Sequence, residues 1–483
     1  MSERDTKKIT PKSEDFDRWY TDVVRRAELA DYTPIGGCMV VRPYGWALWE
    51  NTRDALDAMI KRTGHENMQF PLFIPKSYLE KEAQHVQGFA PEVAWVTRGG
   101  SKELEEPLAI RPTSETIICS LYSKWIQSWR DLPVLINQWA NVVRWEKRTR
   151  LFLRTTEFWW QEGHTFHETS EEAAREVETM LGCYNELAVD WLCLATVPGR
   201  KTDSEKFAGA DYTLSIEALM SDGLALQAGT SHHLGQNFTR AYDIAYTDRN
   251  NELQNPFQTS WGLSTRMIGG VIMAHGDDQG LVLPPKVAPV QVVIVPISRS
   301  GDPDGARQVE EATAKLEREA RDSVRLRVDR REGIRPGEKY AHWELRGVPL
   351  RVVVGAKDLA EGMVTVVRRV DGEQTRVPLD TLAVQLPRML DETHHALHQR
   401  ALRMLDDYSR DVTTLGELQD AFADGPVWAN APFCNTRDCE DAVKESVHAV
   451  TVRCLRADRQ ANGAPCLACG KPSEHVALIA RAY

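Results

Sequence analysis

Apolar residues recur at helical spacing over 46–63, WALWENTRDALDAMIKRT. Leu48, Thr52, Ala55, Leu56, Met59 and Ile60 share one face, and Gly64 stands where a C-terminal cap belongs. FPLFIP at 70–75 is a short apolar run bracketed by prolines, which predicts a strand that ends abruptly. From about 132 to 165 the pattern is strand, loop, strand: VLINQWANVVRWE, then KRTRL, then FLRTTEFWWQEGH. A glycine-punctuated apolar run follows at 260–283. Strands this mixed with polar turns predict an antiparallel sheet with helices, an α+β domain over 1–286. LVLPPKVAPVQVVIVPI at 281–297 reads as a hinge followed by a buried strand. Next come a helix over about 303–321, a strand at 324–328, a second helix and the strands LRVVVG and MVTVVRR. That alternation predicts a compact α/β domain over 287–397. The last stretch, 398–483, opens with a helix and ends in a cysteine-rich segment, giving a small α+β domain.

Composition agrees with several domains. The chain has 483 residues, 42% hydrophobic and 27% charged, too long for one core. No stretch approaches the ~20 apolar residues that span a bilayer. MSERDTKKIT lacks the apolar segment of a secretory leader. Of nine cysteines, Cys38, Cys119, Cys183 and Cys193 are scattered, so a reducing, cytoplasmic compartment is expected rather than a disulfide framework. The net charge of −11 does not exclude a nucleic-acid partner bound through local basic patches.

The charge is unevenly distributed. VVRWEKRTRLFLRTTEF, 142–158, holds Arg144, Arg148, Arg150 and Arg154, with Glu146 and Glu157 among them. Two strands joined by such a loop aim fixed positive charge at one point, as attack on a phosphate requires; a solvated hairpin is the plainer alternative. Arg266 lies in SWGLSTRMIGG, where a guanidinium among apolar residues meets a phosphate, an aromatic face or a structural carboxylate. Thr113 and Glu115, in RPTSET, also suit a helix start. His232-His233 has no metal-ligand spacing nearby and equally suits a core pair. Near the C-terminus, Cys434 and Cys439 form C-x₄-C, and Cys466 and Cys469 form C-x₂-C. In a reducing compartment these two knuckles fit a tetrahedral Cys₄ site for a structural Zn²⁺, with Cys454 outside it.

Taken in order, these segments resemble the three signature motifs of class II aminoacyl-tRNA synthetases. RPTSET (111–116), VVRWE (142–146), FLRTTEFWWQEGH (152–164), AGTSHHLGQNF (228–238) and HGDDQGLVLPP (275–285) are similar to those of the prolyl family. Its archaeal/eukaryotic-type branch carries a C-terminal extension and lacks the editing insertion. The resemblance implies a class II catalytic domain, an anticodon-binding domain and a C-terminal zinc domain. The implied reaction attaches L-proline to tRNA(Pro) through prolyl-adenylate, using ATP with Mg²⁺. It implies Thr113, Glu115, Arg144, Trp160, Glu162, His164 and His232 around proline. Around ATP it implies Arg144, Arg154, Gln227, Thr230, Ser264 and Arg266, with Arg144 and Arg266 catalytic and Gln227 a candidate magnesium ligand. It further implies a homodimer through the helix at 46–63 and the strand at 70–75, and a return of Tyr483 toward the active site.

Residues 324–351 carry eight basic and four acidic side chains. Within them Arg330, Arg335, Lys339 and Trp343 are candidates to read single-stranded anticodon bases; an ordinary exposed face is the alternative. Two other functions fit less well. A threonyl enzyme needs a zinc-binding Cys/His set in its pocket, and none is legible. A binding-only paralogue has no reason to keep Arg144, Arg154, Arg266 and Glu115 together.

Overall fold

The computed structural model describes residues 9–85, 92–299 and 301–483. Its largest element is an eleven-stranded sheet. Six strands form its antiparallel centre, in the spatial order Thr196–Arg200, Tyr212–Leu219, Ala225–Gly235, Phe257–Ser264, Glu157–His167 and Val134–Val143. Between Glu157–His167 and Phe257–Ser264 the chain supplies further strands of this sheet and the helix Ser170–Glu186, which packs across one face. The other face is left for chemistry.

Alternation decides which residues reach that face. Side chains two apart on a strand share a face, and directly paired residues share it across strands. Trp160, Glu162 and His164 pair with Ser264, Gly262 and Ser260, while Thr230 and His232 pair with Gly262 and Ser260. On the opposite face Gly163 pairs with Trp261, and a Cβ at Gly163 would stand 2.0 Å from the indole. The glycine in WWQEGH is therefore a packing requirement.

The predicted helix runs Pro43–Arg62, and Gly64 beyond it has φ +91°, the left-handed conformation that ends helices. All six residues of the predicted apolar face are buried in the chain's own core. Fully burying a side chain such as Leu48 or Leu56 contributes about 1.5–3 kcal/mol. That stripe is thus not a free pairing surface. Exposed apolar residues lie instead in flanking segments: Tyr32, Ile35 and Val40 before the helix, and Phe73 and Trp95 after it.

The second sheet has five strands, in the order Leu326–Val328, Val292–Ile297, Leu350–Gly355, Met363–Arg368 and Gln374–Pro378. Its first three are parallel, and VVIV at 292–295 is fully buried, as a strand covered on both faces should be. Asp277, from HGDDQG, binds Arg369, in the turn after the strand Met363–Arg368, through two bonds of 2.6 and 2.7 Å. Arg400 donates to the His275 carbonyl at 2.6 Å.

The helix Leu379–Tyr408 is continuous, so the boundary expected between 397 and 398 falls inside it. The C-terminal strands join the main sheet rather than forming a separate one. Leu455 and Arg456 pair with Arg200 and Gly199, and Trp428 donates to the Gly223 carbonyl at 3.2 Å.

Candidate active site

The open face of the antiparallel sheet carries a cavity of about 260 Å³. Thr113, Glu115, Arg144, Trp160, Glu162, His164, Gln227, Thr230, His232, Ser264 and Arg266 all line it. Of the residues expected around proline and ATP, Arg154 alone is outside the lining; its exposed side chain pairs with Glu146 at 3.1 Å.

One end is closed and internally satisfied. The helix Glu115–Trp125 starts there, and Ser114 at its N-cap makes no capping bond. Its hydroxyl donates instead to Glu162 at 2.5 Å. Gln138, paired opposite Glu162, donates to the same oxygen at 2.7 Å, and His164 Nε2 lies 3.2 Å from the other. Burial alone pushes the Glu162 carboxyl up, but the bonds and charge of His164, with Ser114 and Gln138, hold it below its ordinary value. Burial likewise favours neutral His164, and Glu162 and Glu115 outweigh it, raising its pKa. Glu115 accepts a short bond from Thr113. The helix-cap reading of Thr113 is replaced: its hydroxyl orients a carboxylate.

His232 is different. Burial and the neighbouring His164 charge push its pKa down to about 3, so it is neutral. Its Nδ1 meets the Thr213 hydroxyl at 2.9 Å and its ring lies 4.7 Å from Phe207. His233 faces the other side of the sheet, stacked on Tyr212. Glu115, Glu162 and His164 bring potential ligand atoms within 4.8 Å of one another. The Glu162–His164 ion pair, with Arg144 beside the cluster, suits an ammonium group better than a metal.

The other end is cationic. Arg144 donates Nε to the Pro112 carbonyl at 3.0 Å, and its guanidinium carbon lies 5.2 Å from the Trp160 ring. Arg266 donates Nε to the Leu153 carbonyl at 3.0 Å. Neither makes an ion pair within 4.0 Å among the described residues. Burial lowers the pKa of each; Glu115 and Glu162 oppose this at Arg144, while Arg154 and Arg144 reinforce it at Arg266. Arg144 thus stands between the carboxylates and the other guanidinium groups, and the uncompensated positive charge suits a polyanion.

The arginine loop is not a solvated hairpin throughout. Arg150 and Arg154 pair through their backbones, and Leu151, Phe152 and Leu153 tuck into the core. Arg150 pairs with Asp17 at 2.9 Å and lies over Tyr20 and, at 5.5 Å, Tyr483. The C-terminal tyrosine therefore reaches this loop. Glu146 pairs with Arg154, and Glu157 accepts from Asn141 at 2.7 Å, which accounts for both acids among the arginines.

Several cavity residues carried no sequence signal. Lys201, Glu205 and Phe207 come from a loop without a motif. Phe158 was legible in principle, two residues from Trp160 on the same strand. The acidic cluster's supports, Ser114 and Gln138, emerge only with the pairing register.

Two expectations in the second sheet's domain are corrected. Trp343 is buried and donates to Asp329 at 2.9 Å; Lys339 is buried and donates to the Asp329 carbonyl at 2.9 Å. Both are internal supports, not base-stacking surfaces. Arg330 pairs with Glu310 and Glu317, and Arg335 is exposed at the start of the helix Pro336–Leu345.

Cys434, Cys439, Cys466 and Cys469 converge, with sulfur atoms 3.4 Å apart for Cys434–Cys439 and 3.8 Å for Cys434–Cys469. Four thiolates at zinc–sulfur distances of about 2.3 Å around a tetrahedral ion stand about 3.8 Å apart, so the donor set fits zinc. Cys454 lies outside the cluster, buried against Gly199.

Residues 95–275 match the tRNA synthetase class II core domain (G, H, P, S and T). Residues 291–388 match an anticodon binding domain, and 415–483 match the prolyl-tRNA synthetase C-terminal family. Proline--tRNA ligase of Alkaliphilus oremlandii (strain OhILAs) is 49% identical over 98% of both chains. That of Clostridium botulinum (strain Loch Maree / Type A3) is 48% identical over the same share. The crystal structure of prolyl-tRNA synthetase from Cryptosporidium parvum, complexed with halofuginone and AMPPNP, matches with a TM-score of 0.93 at 39% identity, covering 99% of each chain.

Proposed function

The chain belongs to the prolyl-tRNA synthetases, class II enzymes that attach proline to tRNA at the expense of ATP, and on that premise we propose how its cavity divides the work. Proline occupies the acidic end and ATP the arginine end, with Arg144 at the junction. The observation carrying this reading is the pairing of a buried, satisfied carboxylate cluster with two guanidinium groups that have no carboxylate partner among the described residues.

At the acidic end the secondary ammonium of proline donates to Glu115. Glu162 already accepts from Ser114, Gln138 and His164, which supports a scaffolding role for it and leaves Glu115, held by Thr113, as the acceptor. Trp160 and neutral His232 offer flat walls to the pyrrolidine ring.

The proline carboxylate is ionised at neutral pH, so its attack on the α-phosphorus needs no base. One carboxylate oxygen forms the new bond to the α-phosphorus as the bond from that phosphorus to the α,β-bridging oxygen breaks, and pyrophosphate departs with that oxygen. Arg144 neutralises the non-bridging oxygens, and Arg266 holds the terminal phosphate; Arg154 reaches the phosphates from the loop by releasing Glu146. Gln227, Thr230 and Ser264 border the nucleotide, and Mg²⁺ arrives with ATP, Gln227 being the candidate side chain to approach it. A hydroxyl of the terminal adenosine of tRNA(Pro) then attacks the acyl carbon, and AMP leaves.

The four-cysteine cluster holds a structural zinc, closed by protein ligands. Nine free thiols, with no disulfide among the described residues, support a reducing compartment, the cytoplasm. The chain follows the archaeal/eukaryotic-type branch, because the segment between its two central motifs is spent on the core sheet. It acts as a homodimer, paired through the exposed apolar residues flanking the helix Pro43–Arg62; sedimentation showing a monomer at micromolar concentration would contradict this.

Amino-acid-dependent ATP–pyrophosphate exchange across the twenty amino acids tests the reading. Proline gives strong exchange, alanine and cysteine weak exchange, and Arg144→Ala none. Preference for another amino acid overturns the pocket assignment.

A further inference from the structure

The loop 201–210 lines the outer wall of the cavity through Lys201, Glu205 and Phe207, and its first half reaches the C-terminal domain. At its start, Lys201 Nζ donates to Glu217 at 2.6 Å and to the Arg453 carbonyl at 2.7 Å, while Arg453 itself binds Glu217 at 2.9 Å. Glu217 is fully buried, and the two cations outweigh its burial and hold its pKa down. Further along, the Ser204 hydroxyl donates to Glu440 at 2.6 Å, and Glu205 pairs with Lys444 at 3.2 Å. Lys444 also lies 3.0 Å from Glu440, one turn earlier on the helix Arg437–Ser446, which carries Cys439 of the cysteine cluster.

Phe207 and Ala210 pack into an apolar cluster at the far end of the loop, but Ser204 and Glu205 lie at the surface, and what holds that stretch is its bonds to a buried carboxylate and the neighbouring cation. The loop in turn sets two cavity walls. The Phe207 amide donates to the Thr213 hydroxyl at 3.0 Å, that hydroxyl meets His232 Nδ1, and the Phe207 and His232 rings pack together.

We propose that Glu440 and Lys444 are positioning residues for the amino-acid pocket: the C-terminal domain holds the loop 201–210 from outside and so fixes Phe207 and His232 at the distance that suits a pyrrolidine ring. The inference rests on the proline pocket proposed above. It gives the C-terminal domain a part in amino-acid selection, although neither residue touches the substrate.

The test uses the full zinc-loaded chain and the proline-dependent exchange assay. Glu440→Ala raises KM for proline about tenfold, as expected for loss of a hydrogen bond to a charged group, and leaves KM for ATP unchanged. Glu440→Gln keeps an acceptor for Ser204 and restores most of the loss. Ser204→Ala raises KM for proline by a smaller factor, and Ser204→Ala combined with Glu440→Ala is no worse than Glu440→Ala alone. Exchange with alanine, relative to proline, increases in the same variants. If Glu440→Ala fails to fold, Ser204→Ala and Lys444→Met decide, since both change partly exposed side chains. An unchanged KM for proline in these two, or KM for proline and ATP rising together, overturns the proposal. Absence of proline-dependent exchange in the unmodified chain would instead overturn the pocket reading beneath it.

Discussion

The two ends of the cavity are built on opposite principles. At the proline end Glu162 is answered inside the protein, accepting from Ser114, Gln138 and His164, and Thr113 orients Glu115. At the nucleotide end Arg144 and Arg266 donate to backbone carbonyls and meet no carboxylate within ion-pair distance among the described residues. A small zwitterion must be selected by shape and by fixed partners. A polyanion is held by charge the protein leaves unbalanced until it arrives. Damage to the first end should therefore affect stability and selectivity, and damage to the second should affect rate.

The largest expected effect is at the cationic end. Arg266→Ala lowers the pyrophosphate-exchange rate by about 10²–10³, the usual consequence of removing a donor from developing charge, while thermal stability is unchanged. A large fall in melting temperature would mean that Arg266 is structural.

The acidic end should respond in the reverse sense. Glu162→Gln leaves buried His164 without its ion partner and destabilises the fold by on the order of 3 kcal/mol in denaturant titrations. Glu115→Gln, with no comparable network behind it, weakens proline binding with a smaller loss of stability. Equal destabilisation by the two would erase the distinction between scaffold and substrate ligand.

Acid should weaken the protein over a definite window. Burial keeps His232 and His275 neutral, with pKa values near 3, and His167 neutral with one near 4. In the unfolded chain they take up protons below about pH 6.5. Their contribution is therefore complete above that value and lost as pH falls from 6.5 toward 4 for His167 and toward 3 for His232 and His275. His164, with its raised pKa, acts in the opposite direction: its contribution is complete below 6.5 and lost as pH rises through its folded value. Melting curves from pH 8 to 4.5 should show the acid loss, flattened in His275→Gln.

Removing zinc tests the C-terminal domain, whose helix Arg437–Ser446 carries both Cys439 and Glu440. Cys469→Ser abolishes stoichiometric zinc and lowers the melting temperature, and a metal assay with differential scanning fluorimetry reads both. The smallest effect is expected at Arg154, whose exposed pairing with Glu146 is worth under about 1 kcal/mol. Arg154→Ala raises KM for ATP severalfold and leaves KM for proline alone.

Most of the cavity lining was legible through the resemblance to the prolyl family's motifs, and a few of its residues are also conspicuous for physical reasons. A guanidinium among glycines and apolar residues, as at Arg266, demands a partner. Paired cysteine knuckles demand a metal. The strand EFWWQEGHTFH puts Trp160, Glu162 and His164 on one face by alternation alone. What stayed hidden depends on long-range register. Nothing local marks Gln138 as the support of Glu162, or ties Ser204 to Glu440 across 236 residues.

The correction at Trp343 and Lys339 has a physical cause. Trp343 and Lys339 lie in a basic segment that makes them candidates for a nucleic-acid surface, yet both turn inward to hold Asp329. Local charge does not report which side of a helix is buried.

The most direct test of the divided cavity is binding without chemistry. Proline and a non-hydrolysable ATP analogue with Mg²⁺ are titrated separately into the unmodified chain, Glu115→Gln and Arg266→Ala by calorimetry. The predicted result is crosswise: Glu115→Gln loses affinity for proline and keeps it for the analogue, and Arg266→Ala does the reverse. If each variant weakens both ligands equally, the two ends do not act separately and the account is wrong.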